Sequence, residues 1–166
     1  SGFLAQLPPD YAYTVEVRHP AFFGGGEAEV RLNGLLHDLG MDRVIFDSRP
    51  LRRADPGDPE TRQAQERKPD LPVHPVALAA HPMLRYISHP APEANDAWLA
   101  EWAPTVAGWI ADGRVPYIFI HAPDDFYAPR LARRFHHLLS QHADVGTMPP
   151  WPAEQGPQTA EQLALL

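Results

Sequence analysis

Four short apolar runs in this chain each end in a cluster of Arg, His, Asp or Glu, with helical patterns between them. Residues 13–17 lead to Glu16, Arg18 and His19. Residues 44–46 lead to Asp47, Ser48 and Arg49. Residues 84–87 contain Arg85 and lead to Ser88 and His89. Residues 117–120 lead to His121, Asp124 and Asp125. Alternating strands and helices imply a parallel sheet with right-handed crossovers. Folds of that kind gather reactive groups at the carboxyl ends of their strands. The polar clusters therefore locate a candidate site without naming a reaction.

The elements follow from periodicity. In residues 11–17, Tyr13, Val15 and Val17 share one strand face and Thr14 and Glu16 the other. Residues 44–46 are continuously apolar, as in a strand buried on both faces. Residues 27–39 predict a helix with Ala28, Leu32, Leu35, Leu36 and Leu39 on one stripe and Gly40 just past its end. A second helix is expected over 93–111, with Trp98, Trp102, Val106 and Trp109 inward and Pro104 kinking or splitting it. A third is expected over 129–141, with Leu131, Ala132, Phe135, Leu138 and Leu139 inward. Residues 49–82, rich in Pro, Asp and Arg, hold one exposed helix over 58–67 and read either as a functional lid or as decoration. Residues 3–7 read as the end of a helix. Residues 1–150 form the domain and residues 151–166 a poorly ordered tail.

Composition removes several classes. The chain has no cysteine, which excludes disulfides, thiolate metal sites and cysteine nucleophiles, and is compatible with the cytoplasm. No apolar run approaches the ~18 residues of a membrane span, and no secretory leader is visible. The first residues are Ser-Gly rather than Met, as expected of a fragment, a trimmed product or an engineered start. The net charge of −7 argues against bulk electrostatic binding of nucleic acid. Thirteen of the fourteen Lys and Arg residues are Arg, and Lys68 is the single lysine. Codon composition explains that bias most simply, although Arg is also the better bidentate ligand for carboxylate and phosphate.

Glu16 is a candidate general base or substrate ligand, or else the partner of Arg18, Arg49 or Arg85 in a structural ion pair. Asp47 and Arg49 repeat the acid-x-Arg spacing of Glu16 and Arg18, and residues i and i+2 of a strand share a face. All four groups, with Arg85 and His121, are expected to converge on one mouth. Arg85 interrupts an apolar strand and needs an anionic partner, from the protein or from a ligand. His19, His89 and His121 lie just past strand ends and could assist catalysis. A divalent metal held by these histidines and two or three carboxylates of the same rim is the less favoured reading, since no short ligand motif is present. Asp124 either caps the last helix or binds substrate. No nucleotide-type glycine loop follows any strand.

Val15-Glu16-Val17-Arg18-His19-Pro20, Phe46-Asp47-Ser48-Arg49-Pro50, Lys68-Pro69 with Val73-His74, Arg85-Tyr86-Ile87 and the stretch from Tyr117 through His121 to Asp124 resemble, in this order, the YecE-like family, a domain of unknown function. The similarity runs from about Phe3 to Pro150. It implies a TIM-like α/β barrel of roughly 250 residues, of which this chain supplies four strands, the carboxyl-terminal half. Half a barrel has two unpaired edges and an exposed inner face. A missing amino-terminal half or a second copy is the expected partner. The working reading is an enzyme for a small polar, anionic substrate, a sugar or phosphate ester. Arg18, His19, Arg49, Arg85 and Asp124 would bind it, and Glu16, Asp47, His89 and His121 would act as acid or base. The alternatives are a phosphate or nucleic-acid binding module and a non-catalytic half-barrel made for assembly.

Overall fold

The computed structural model describes residues 2–151. Four parallel strands lie in chain order: β1 (Thr14–Val15), β2 (Asp42–Asp47), β3 (Met83–Ile87) and β4 (Tyr117–His121). Helix α1 (Glu27–Asp38) links β1 to β2. The next crossover holds α2 (Arg49–Arg52) and α3 (Pro59–Arg67). Helix α4 (Asp96–Ala111) links β3 to β4, and α5 (Ala128–Leu139) follows β4. The expected alternation is present, and the α/β class with it. The fold is compatible with half a barrel.

Register decides which side chains share a face. Ile45 pairs with Leu84, and Leu84 with Ile118. These point to the helices and join Tyr86, Leu99, Trp102, Val106, Leu131 and Phe135 in the main core. Phe46 pairs with Arg85, and Arg85 with Phe119, on the opposite, inner face. There Tyr117 is 47% and Phe119 49% exposed. The inner face is thus buried over β2 and open over β4, the edge strand.

Three elements differ from expectation. The first strand pairs over Thr14–Val15 alone rather than across 11–17. Helix α4 runs unbroken through Pro104, which neither splits nor ends it. Pro104 and Ala100, whose carbonyl loses its partner there, both lie on the exposed side, so water can satisfy that carbonyl while Trp102, Ala103, Val106 and Trp109 hold the buried side. Along α1, Leu36 is buried, but Ala28 of the expected stripe is exposed and Leu32, Leu35 and Leu39 are half-buried.

The crossover after β2 is firmly anchored. Asp58 caps α3 by accepting from the Thr61 amide at 2.8 Å. Gln65 donates to the carbonyls of Leu51 and Ala54, and the Ser48 hydroxyl donates to Pro69 at 2.7 Å. Asp42, fully buried, accepts the amides of Leu78, Ala79 and His81 and ties the end of the crossover to β2. Such multiply bonded carboxylates are how a charge survives in an apolar layer. Trp151 lies beside Arg133, and the remainder of the expected tail lies outside the described residues.

The β3–α4 connection depends on Asn95, which is fully buried. Its amide oxygen accepts from the Tyr86 hydroxyl and the His89 amide, both at 2.9 Å, and its NH2 donates to the carbonyls of His89, Ala91 and Pro92. Substitution Asn95→Ala strands several of these groups and should cost about 3 kcal/mol of stability, read as a lower urea midpoint. A midpoint equal to wild type would show that the loop does not depend on this residue.

Candidate functional site

A chain of polar contacts crosses the inner face. Arg85 rises from β3, with Leu84 and Tyr86 on either side of it turned into the helix-side core. Its Nη1 donates to Glu16 Oε2 at 2.9 Å, and its Nε to His121 Nε2 at 3.3 Å. Glu16, just past β1, also accepts from Arg18 Nε at 2.7 Å. Glu16 and Arg85 reach each other across β2. The Phe46 ring lies between them as a floor, 5.7 Å from the Arg85 guanidinium carbon and 5.9 Å from that of Arg18. Cations over an aromatic face are attracted by its quadrupole.

Lys68, at the end of α3, and Asp125, after β4, complete the electrostatic surroundings. A cleft of about 400 Å3 lies beside this chain and meets it at His121, lined from α3 and its end by Glu60, Gln63, Arg67 and Lys68 and from the β4 side by His121 and Asp125.

Burial disfavours the charged form of Glu16, but the hydrogen bonds from Arg85 and Arg18 outweigh it and lower its pKa overall. Burial lowers the pKa of His121, and Arg85 and then Lys68 lower it further. Burial likewise lowers the pKa of Lys68, with Arg85 and Arg18 adding to the effect. The imidazole accepts from Arg85 through Nε2, so in this arrangement it is neutral with its proton on Nδ1. Arg18 and Arg85 face the single carboxylate Glu16 on the sheet, and in the cleft Arg67 and Lys68 stand against Glu60 and Asp125, so the excess is one positive charge and lies at the two sheet guanidiniums.

The expected residues do not all meet. Glu16, Arg18, Arg85 and His121 come together. Asp47 and Arg49 do not join them, because Asp47 pairs with Tyr86 and faces the helices. It is fully buried, accepts from Trp102 Nε1 at 2.8 Å, and holds Arg49 through both carboxylate oxygens. Arg49 bridges onward to Glu101 at 2.9 Å and lies over the Trp98 ring. The expectation of one mouth for both acid-x-Arg pairs is therefore corrected. Continuing the β1–β2 register sets Glu16 level with Val44, three positions from Asp47, so the two point to opposite faces.

His19 and His89 turn back on their own loops, each accepting a backbone amide two residues on, from Ala21 and Ala91. Asp124 does the same with Phe126. None of the three bonds to the Glu16–Arg85–His121 chain. Among the described residues, no group of three or more His, Asp or Glu side chains is placed to hold a metal ion.

Two site residues went unassigned in the sequence. Lys68 stood out only as the single lysine and within the resemblance, and Asp125 only as a capping carboxylate in the cluster after the fourth apolar run. A buried network was also missed: Glu29 of α1 accepts from Arg43 at 2.8 Å and from the Gly25 amide at 2.8 Å, and contacts His74 at 2.6 Å. Its charged residues gave no period that distinguishes them from a solvated face.

Lowered pKa values have a consequence for stability. The unfolded chain protonates His121 near its ordinary value of 6.5, above the folded value, so stability falls as pH drops below about 6.5. Glu16 stabilises the fold above its ordinary value of 4.5, and that contribution is lost as pH falls through its lower folded value. Urea midpoints followed against pH should decline in both windows, and His121→Asn should flatten the upper one selectively. An upper window unchanged in the variant would contradict this assignment.

Residues 1–156 match the family described as "Protein of unknown function DUF72". The chain is 39% identical over 153 residues to the UPF0759 protein YecE of Escherichia coli K12, covering 92% of this chain and 56% of that protein. The same figures hold for YecE of Escherichia coli O157:H7. The chain thus spans about half the length of the curated relatives it matches. No solved structure matches it. Among the described residues, no helix is long and apolar enough to cross a membrane. The chain belongs to the DUF72, YecE-like family, whose function is unknown.

Proposed function

We propose that the inner face of the sheet is the active site of a β/α-barrel enzyme acting on a small, polar, anionic substrate such as a sugar acid or a phosphate ester. The observation that carries this reading is that two guanidiniums, Arg85 and Arg18, share the single carboxylate Glu16 on the inner face, beside a cleft that His121 and Lys68 line. Arg85 and Arg18 bind the substrate anion with their unshared N–H groups, over the Phe46 ring. Glu16, ionised and held by both guanidiniums, is the general base. His121 stays neutral and fixes the orientation of Arg85. Asp47 and Arg49, tied to Trp102 and Glu101, secure the end of β2 to α4 and take no part in chemistry.

The barrel itself is completed by further strands, from the segment that the longer relatives possess or from a second copy. The exposed Tyr117 and Phe119 on the inner face of β4 support this, because a closed barrel covers such residues.

Inorganic phosphate is the direct probe. Binding beside Arg85 supplies the missing negative charge and stabilises the imidazolium, so the His121 pKa should rise when followed by NMR in millimolar phosphate. Arg85→Met should abolish the phosphate-dependent rise. Equal His121 titration with and without phosphate would overturn the proposal.

A further inference from the structure

We propose that Lys68 is a nucleophilic amine that forms an imine with the carbonyl group of an anionic aldehyde or ketone held in the cleft between α3 and the end of β4. This deepens the preceding proposal and rests on it for the charged end of the substrate. What it adds is the reacting group and the class of compound.

The backbone of Lys68 is fixed from several directions. Its amide donates to Ala64 at 3.0 Å, closing α3, and its carbonyl accepts from the Arg52 guanidinium. The next residue, Pro69, is held by Ser48. The side chain lines the cleft that His121 and Asp125 also line. Its amine makes no hydrogen bond or ion pair with any described residue, although it is half-buried. In a chain whose other thirteen long basic residues are Arg, this is the one that can lose its charge and present a lone pair. A lysine partly removed from water and set beside guanidiniums is activated in this way, in accord with the direction of its pKa shift.

The step balances without a redox partner. The Lys68 amine lone pair forms the C–N bond as the carbonyl π pair moves to oxygen. The two amine protons leave with that oxygen as water, and the C=N bond forms. The substrate anion, bound by Arg85 and Arg18, brings the carbonyl carbon to the amine.

Borohydride trapping tests this, with dihydroxyacetone phosphate as the probe and the chain amino terminus as internal reference. Peptide mass analysis should find the reduced adduct on Lys68, suppressed by inorganic phosphate. Lys68→Arg should lose it while the phosphate response of His121 persists. If phosphate still shifts His121 but no adduct forms on Lys68, the imine is overturned and the anion site stands. If neither the shift nor the adduct is found, both proposals fall.

Discussion

Arg85 is the constraint on which the inner face depends. A guanidinium in the middle of an apolar strand must find acceptors, and its neighbours Leu84 and Tyr86 are committed to the opposite side. It finds Glu16 on one side and His121 on the other. One side chain thus joins β3 to the residue just past β1 on one side and to the end of β4 on the other. The same bonds determine the local chemistry: Glu16 is kept ionised, His121 is kept neutral, and the ammonium of Lys68 lies in a field that disfavours its charge.

The two acid-x-Arg pairs show how identical spacing serves different ends. Both form the expected i, i+2 ion pair. Glu16 is at the inner face and bonds Arg85, whereas Asp47 is sealed beneath α4 by Trp102 and bonds no residue of the site. The pairing was legible because alternation along a strand is local. The choice of face was not, because it depends on register with the next strand, and a shift of one residue inverts every side chain.

The alternation of strands and helices and the main core were legible for the same local reason, since Leu131, Phe135, Trp102 and Val106 recur at helical spacing. The charged start of β2 was not. Asp42 and Arg43 look like loop residues until their partners, three backbone amides for one and Glu29 for the other, are seen from distant segments. Lys68 was hidden likewise, inside a Pro-rich crossover that reads equally well as lid or decoration. Its place beside His121 and Asp125 is visible only once α3 is seen to form a wall of the cleft.

The central claim is that the inner face attracts an anion to Arg85, and an anomalous diffraction experiment on crystals soaked in selenate tests it most directly. The account predicts a selenium peak within hydrogen-bonding distance of the Arg85 guanidinium, above Phe46 and facing Lys68. A well-ordered, empty inner face, with selenate bound only at exposed arginines such as Arg31 or Arg130, would contradict it.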